Sequence, residues 1–272
     1  AGIFSIFKKS IRIMSRRSQN FYHKKYFYLS LFIEYFLHKL TNKILVNSKT
    51  IFNQIESEFV PSNKITLINN GVKLPKILKV RKNRRIIKIG MIANFIAYKG
   101  HKKLIEIVSS LKDENILIYL IGSDYRKFKE KIEKLVEQRG LEKKIIFSGY
   151  VKDIFSKINE LDIVINTSSE EGQSNALIEA MALGKPIVGF DVGGNSEIIK
   201  DNFNGFLIRY NDLESYSKAL KKLITDQLLR KKFGNNSVEF FEKKFTLEKS
   251  HLAYLKCYEK LLKSKNNSKK KK

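Results

Sequence analysis

The sequence predicts an α/β protein whose main body is a doubly wound parallel sheet of the Rossmann-like kind. Two observations lead there. Apolar runs of strand length recur at "IIKIGMIA" (86–93), "NILIYLIG" (115–122), "KIIFSG" (144–149), "DIVINT" (162–167), "PIVGFD" (186–191) and "GFLI" (205–208). Helical segments separate them, near 99–112, 125–139, 151–160, 174–184 and 194–200. Strands that alternate with helices form a parallel sheet covered on both faces. Ligands of such a sheet bind beyond the carboxyl ends of the strands, in the loops that lead into helices.

The segment ahead of this body reads differently. Residues 1–43 carry nine Lys/Arg and one acid, many aromatics and no proline, the pattern of a basic amphipathic helix. "KILVNS" (43–48) reads as a short buried strand, Thr50 to Phe59 as a helix ended by Pro61, and "KITLINNGV" (64–72) as a strand running into an Asn-Gly turn. "KLPKILKVRKNRR" (73–85) has weak periodicity, a proline and dense positive charge, which marks a linker. The expected organisation is a partial N-terminal α/β domain over 1–72, the linker 73–85 and the Rossmann-like domain over 86–245. A C-terminal helix over 246–263 would pack back toward the N-terminal part, and a disordered basic tail would fill 264–272. Residues 211–226 and 234–263 read as helical, with Phe245–Leu262 as one long helix.

Composition limits the function classes. With 272 residues and 43% hydrophobic content, the chain can bury one large or two modest cores. Its single cysteine, Cys257, rules out an internal disulfide. His23, His38, His101 and His251 are scattered, without metal-ligand spacing, and read as surface or packing residues. The net charge of +26 favours anionic surfaces, although lysines spread over solvated faces account for most of it. No nucleic-acid motif accompanies the charge, so nucleic acid is not an expected partner. The chain starts with Ala1 and shows no signal peptide. Its most apolar early run, "FYLSLFIEYFL" (27–37), is interrupted by Ser30 and Glu34 and is too short to span a bilayer.

Three loops after strands carry the candidate chemistry. In "IANFIAYKGHKKL", Asn94 follows the strand and Lys99-Gly100 opens a helix, so a lysine stands beside free backbone amides, a setting suited to a diphosphate. Taken alone, Lys99 could equally be one more solvated lysine. In "FSGYV", Gly149 permits a tight turn, and Tyr150 either flanks an aromatic base or packs ordinarily. In "NTSSEEGQSNALIEAMALGKP", Gly172 allows close backbone approach, and Ser174 or Asn175 can cap a helix over Ala176 to Ala182 that Gly184 and Pro186 end. The amides of Ser174, Asn175 and Ala176 would then offer a place for phosphate oxygens. Glu179, about one turn into that helix, and Glu171, in the loop, could hold sugar hydroxyls from one cleft. As an isolated pair they also fit a half-exposed helix residue and an acid that favours the helix dipole.

"EEGQSNALIEAMALGKPIVGFDVGGNSEII" resembles the signature of family 4 glycosyltransferases, which have the GT-B fold. The match falls on Glu171, Glu179, Gly184, Pro186, Gly193 and Gly194, and it extends through "YKGH", "LIG" at 120–122, "FSGYV" and "NNGV". The resemblance implies a retaining transfer of a sugar from a nucleotide-diphosphate sugar to a glycan or lipid-linked acceptor in cell-surface polysaccharide or glycolipid synthesis. It implies Glu179 on the ribose, and Glu171 on the donor sugar with the amides from Gly172 through Gln173, Ser174 and Asn175 to Ala176 nearby. Lys99 would neutralise the leaving diphosphate, and Tyr150 and Val151 would flank the base. Glu171 and Lys99 would thus be the catalytic residues. No cofactor and no metal ion is implied.

Two departures stand out. Asn94 occupies a position where the family usually carries a phosphate-clamping arginine. The Gly-rich loop of the first N-terminal strand is absent, so residues 1–72 read as the remnant of an acceptor domain. The location implied is the cytoplasm, peripheral to an anionic membrane surface that the basic N-terminal segment would approach. The alternative is a truncated module that binds a nucleotide sugar without turnover of its own.

Overall fold

The structure is a computed structural model and describes residues 10–18, 27–74, 86–124 and 127–270. The chain divides into two compact units, Ala1–Gly71 with Phe245–Lys272, and Val72–Lys244.

The second unit holds six strands: β4 (Ile87–Ile92), β5 (Ile116–Ile121), β6 (Ile145–Gly149), β7 (Ile163–Asn166), β8 (Ile187–Phe190) and β9 (Gly205–Ile208). All are parallel, in the order β6-β5-β4-β7-β8-β9. The chain builds outward from β4 through β5 to β6, then returns to the other side of β4 with β7. The order therefore reverses between β4 and β7, the point where such sheets bind ligands. Between the strands run α3 (His101–Ser109), α4 (Phe128–Gln138), α5 (Ile154–Glu160), α6 (Asn175–Ala182) and α7 (Asn195–Ile198); α8 (Leu213–Thr225) and α9 (Gln227–Lys244) follow β9.

Local chemistry explains the boundaries. The Asp153 and Asp212 carboxylates accept the N–H groups of Ser156 and Ser215 at 3.0 and 2.9 Å and so cap α5 and α8. Buried Ile, Leu and Met of β4, β5 and β7 meet Leu104, Ile105 and Val108 of α3 and Leu220 and Leu223 of α8 in one core. α6 ends at Leu183 and Gly184 against α9, so close that a Cβ on Gly234 would lie 2.3 Å from the Gly184 carbonyl oxygen. The helix after α8 starts at Gln227 rather than near 234, because the Asp226 carboxylate accepts the Leu229 N–H at 2.8 Å.

The first unit is a three-stranded parallel sheet, β1 (Ile13–Arg16), β2 (Lys43–Val46) and β3 (Ile65–Leu67), in that order, with α1 (Phe27–Leu40), α2 (Lys49–Ser57) and α10 (Leu247–Lys270). One sheet face packs Ile44 and Val46 against Ile51 and Ile55 of α2; the other packs Leu45 and Ile68 against Cys257 of α10. Ser48 caps α2, its hydroxyl accepting the Ile51 N–H at 3.2 Å.

Three expectations are corrected here. Residues 1–43 are not one helix: Ile13–Arg16 is a strand, because pairing with β2 outweighs local propensity in so short a segment. Residues 1–9 and 19–26 of that stretch lie outside the described residues, as does 75–85 of the expected linker. The expected strand 64–72 shortens to Ile65–Leu67. The tail is helical through Lys270 rather than disordered from 264. No glycine or proline stops it, and adding one residue to a formed helix costs far less than starting one.

The polarity of α1 is also inverted. His38 is buried and Glu34 largely so, facing Arg16, whose guanidinium donates to both Glu58 carboxylate oxygens at 2.9 and 2.7 Å and lies 3.5 Å from Glu34. Burial pushes the His38 imidazole below its ordinary pKa. Phe32, Ile33, Phe36 and Leu37 face solvent, Phe32 at 68% exposure. An amphipathic helix normally presents the opposite arrangement.

Lys185 is 2% exposed, and its ammonium donates to the Asn159 and Leu161 carbonyls at 2.7 and 2.8 Å, tying the end of α6 to the end of α5. Replacing Lys185 with Met would leave buried carbonyl groups without a charged donor. We expect a loss of about 2 kcal/mol in stability, measured as a lower urea midpoint by circular dichroism. An unchanged midpoint would show that the two carbonyls find water instead.

Candidate active site

Three strand-following loops are stitched together above β4, β5 and β6. The Ala93 N–H donates to the Ile121 carbonyl at 2.8 Å, and the Phe95 N–H to the Ser123 carbonyl at 2.9 Å. In return the Ser123 N–H donates to Asn94 Oδ1 at 3.0 Å, and the Gly122 N–H donates to the Gly149 carbonyl at 2.9 Å. A Cβ on Gly122 would stand 2.2 Å from the Ala93 carbonyl oxygen, so this position takes no side chain. Asn94 is thus held by its carbonyl oxygen.

The loop after β4 then meets the loop after β7. Gly100, at φ +81°, ends a 3-10 turn over Ala97–Lys99 and begins α3. A Cβ there would lie 1.9 Å from the Thr167 carbonyl oxygen, and the Thr167 hydroxyl donates to the Gly100 carbonyl at 3.0 Å. The Ser169 N–H donates to the Tyr98 carbonyl at 2.8 Å. This close approach brings Lys99 to Glu171: the ammonium donates to Oε1 at 2.8 Å. Asn166 Nδ2 and the Ser168 hydroxyl donate to the same oxygen at 3.1 and 2.8 Å. Glu171 is 9% exposed, and all three of these donors reach Oε1 rather than Oε2.

A third loop, after β8, supports Glu171 from behind. The Gly194 N–H donates to the Glu171 carbonyl at 3.3 Å. Gly193 has φ +52°, and a Cβ on it would lie 1.8 Å from that same carbonyl oxygen. Gly193 is therefore required by the backbone of Glu171.

These loops enclose an open cavity of about 520 Å³, within the range of small-molecule sites. Its lining brings together Asn94 and Lys99 from the loop after β4, Tyr150 and Val151 from that after β6, and Glu171, Gln173, Ser174, Asn175 and Ala176 from that after β7. Gly172 and Glu179 are not among the lining residues. Lys152 and Gly122 are, and the sequence reading left them out as site residues. Lys152 directly follows Val151, and its signal was its place in a strand-following loop. Tyr150 is 76% exposed, its ring free to take a flat partner.

Ser174 occupies the N-cap position of α6 without capping it: no side-chain hydrogen bond is made there, contrary to expectation. The consequence is chemical. The first turn of α6 takes no side-chain oxygen from that residue, and Ser174, Asn175 and Ala176 line the cavity. Beneath this floor His101 is fully buried and stacked on Phe95, ring centroids 4.6 Å apart, and burial pushes its pKa down to about 4. It is a neutral packing residue, as its isolation in the sequence suggested.

Among the described residues one group of three could ligate a metal ion, Glu34, His38 and Glu58. It lies in the first unit, where Arg16 already neutralises Glu58 at 2.7 Å.

Glu179 lies one turn into α6, and burial alone raises its pKa to about 7. A carboxyl group whose pKa is higher in the folded than in the unfolded chain binds its proton more tightly when folded. Stability then falls as pH rises from the unfolded value near 4.5 through about 7, and is flat above. We expect Glu179→Gln to remove this slope and to raise Tm relative to the parent at pH 8 but not at pH 4.5, by differential scanning fluorimetry. Parallel Tm curves would contradict the burial of this acid.

Comparison with known proteins agrees with this geometry. Residues 75–240 match the family described as glycosyl transferases group 1. An uncharacterized glycosyltransferase of Methanocaldococcus jannaschii is 30% identical over 235 residues, covering 82% of this chain and 60% of the relative. The poly(ribitol-phosphate) alpha-N-acetylglucosaminyltransferase of Staphylococcus aureus is 29% identical over 201 residues, covering 73% and 39%. The chain thus spans about half the length of these curated relatives. Among solved structures, S. aureus TarM in complex with fondaparinux, alpha-GlcNAc-glycerol and UDP superimposes with a TM-score of 0.80 at 25% identity, over 92% of this chain and 51% of that one. Anabaena HepE in complex with UDP superimposes at 0.83 with 18% identity, over 96% and 74%, a likeness of fold. By its matched residues, its switch-point cavity and its strand order, the chain belongs to the family of glycosyl transferases group 1.

Proposed function

We propose that this chain is the donor-binding part of a retaining family 4 glycosyltransferase. Its reaction would move a sugar from a nucleotide-diphosphate sugar to a glycan or lipid-linked acceptor in cell-surface polysaccharide or glycolipid synthesis. The observation that carries the reading is the Lys99–Glu171 pair, 2.8 Å apart at the switch point, beside the start of α6 that lines the same cavity. In this reading Tyr150 and Val151 take the base, and the diphosphate lies against Lys99 and the amides from Gly172 to Ala176. Glu171 accepts hydroxyls of the donor sugar and Glu179 those of the ribose. As the bond from the anomeric carbon to the diphosphate breaks, the electron pair leaves on phosphate oxygen, an acceptor hydroxyl oxygen forms the new bond to the anomeric carbon, and its proton passes to the departing phosphate oxygen. There a lysine ammonium and preoriented amides stabilise the growing charge. The surroundings supply this charge from protein groups, so the proposed chemistry assigns no role to a metal or cofactor.

Relatives guide the choice of substrates. The S. aureus poly(ribitol-phosphate) transferase and TarM, the latter solved with UDP and alpha-GlcNAc-glycerol, make a UDP-sugar and a poly(ribitol-phosphate) acceptor the first pair to try. The second reading to test is a module that binds donor without turnover of its own. Release of free sugar from UDP- and GDP-sugars by the isolated chain, with titration calorimetry of UDP and GDP, decides between them. Binding with turnover supports the enzyme, binding alone supports the module, and the absence of both sinks the donor reading.

Asn94 provides a sharper test. Its carbonyl oxygen is engaged by the Ser123 N–H, so its amide N–H groups are the donors left to meet a phosphate. They bring no charge. We expect Asn94→Arg to tighten UDP binding by about tenfold, the difference between a neutral and a charge-assisted bond, and Lys99→Ala to weaken it by at least as much. Calorimetry that shows no gain for the arginine would remove Asn94 from the phosphate site.

Work at the inner face of a membrane is the second part of the proposal. No described helix is long and apolar enough to cross a bilayer. The outward apolar stripe of α1, Phe32, Ile33, Phe36 and Leu37, supports surface attachment. Its unit holds twenty Lys/Arg against five Asp/Glu, well over half of the net charge. In flotation with phosphatidylglycerol vesicles the chain should rise with the lipid, and Phe32→Glu/Phe36→Glu should stay behind. Equal recovery from phosphatidylcholine vesicles would remove the electrostatic part.

A further inference from the structure

Glu171 is oriented by a side-chain relay that none of the matched motifs singles out. Asn166, the last residue of β7, donates from Nδ2 to Glu171 Oε1 at 3.1 Å. Its own orientation is fixed through Oδ1, which accepts the Ser168 N–H at 3.1 Å and Asn195 Nδ2 at 3.2 Å. Asn195 opens α7, is fully buried, and is itself anchored by donation from Nδ2 to the Phe190 carbonyl at 2.9 Å. The relay thus runs from the loop after β8, through the end of β7, to the carboxylate that meets Lys99. It is kept at a cost: Asn195 Oδ1 is buried without a hydrogen-bond partner. A buried unsatisfied oxygen is disfavoured unless the other half of the amide is needed where it is. Asn195 Nδ2 donates to both Asn166 Oδ1 and the Phe190 carbonyl, which also accept the Ser168 and Val192 N–H groups, and a turned amide would lose both of its bonds. The amide of Asn195 therefore cannot turn over to satisfy its own oxygen.

We propose that Asn166, held by Asn195, is a positioning residue that commits Glu171 Oε1 to the protein and presents Oε2 to the donor sugar. The proposal rests on the donor reading above and assigns Asn166 a part in it that no lining residue plays. A carboxylate free to rotate would share both oxygens with Lys99 and Ser168. With three donors on one oxygen, the other keeps its lone pairs for hydroxyl groups in the cavity. The effect should therefore fall on recognition of the sugar and leave the nucleotide alone.

The test compares affinities for UDP and UDP-N-acetylglucosamine by calorimetry, with GDP and GDP-mannose as the pair if guanine is the base that binds. Asn166→Ala should leave UDP affinity unchanged and lower that of the nucleotide sugar by about tenfold, the scale of one hydrogen bond to a charged group. Asn166→Asp is the control against a packing role. Once ionised it keeps the shape and both acceptor contacts but cannot donate to Glu171, so at a pH above that at which the two carboxyl groups share a proton it should lose sugar recognition at least as severely as the alanine variant. In a Glu171→Ala background neither change should matter further. The inference is overturned if both variants bind the nucleotide sugar as the parent does. It is equally overturned if nucleotide and nucleotide sugar weaken together, or if Asn166→Asp is the milder change. A parent that binds neither UDP nor GDP fails earlier and takes the donor reading down with it, an outcome distinct from any of these.

Discussion

The parallel ladder between β4 and β7 is the contact on which the site depends. It pairs Ile89 with Ile163, Gly90 with Val164 and Met91 with Ile165, and so joins two strands that the chain separates by two complete strand–helix units. A Cβ on Gly90 would meet Leu161 Cδ1 at 2.2 Å, so a larger residue there would have to displace the Leu161 side chain. Because parallel strands carry their following loops to the same edge of a sheet, the ladder sets the Lys99 loop beside the Glu171 loop. Gly100 then closes the remaining distance, with the Thr167 carbonyl oxygen where its side chain would be.

Once the loops are in contact, charge and hydrogen bonding do the rest. Lys99 is about four-fifths buried and Glu171 more so, and an ion pair in such a place holds only if its remaining valences are met. Ser168 and Asn166 meet them on one oxygen, and the backbone of Glu171 is fixed by Gly193 and Gly194. The start of α6 stands beside this pair, with Ser174, Asn175 and Ala176 in the lining of the same cavity. The result is a pocket with a cation, helix amides and a fixed carboxylate, each drawn from a different part of the sheet's upper edge.

Much of this was legible in the residues. The strands of the second unit follow from runs such as "ILIYLI", and the loops that matter follow from the rule that parallel sheets bind ligands at their carboxyl edge. Glu171, Lys99, Tyr150 and the start of α6 were found that way, and the structure lines one cavity with them. Glu179 was placed in the same cleft by helical spacing, yet it stands outside the lining, one turn deeper, where burial raises its pKa. Asn166, Ser168 and Asn195 gave no signal at all. Polar residues at a strand end or helix start are common, and only their distances show that they form a relay.

The sequence by itself determined the doubly wound fold and the chemical character of each loop, because periodicity and residue type are local properties. Tertiary structure decided which residues meet. Lys99 and Glu171 are 72 positions apart and become partners through the order of strands, which no local pattern encodes. Ile13–Arg16 became a strand because β2 lies alongside it, and α1 turned Glu34 and His38 inward because Arg16 and Glu58 wait there. In each case a contact between distant segments supplied more free energy than the local preference it overrode.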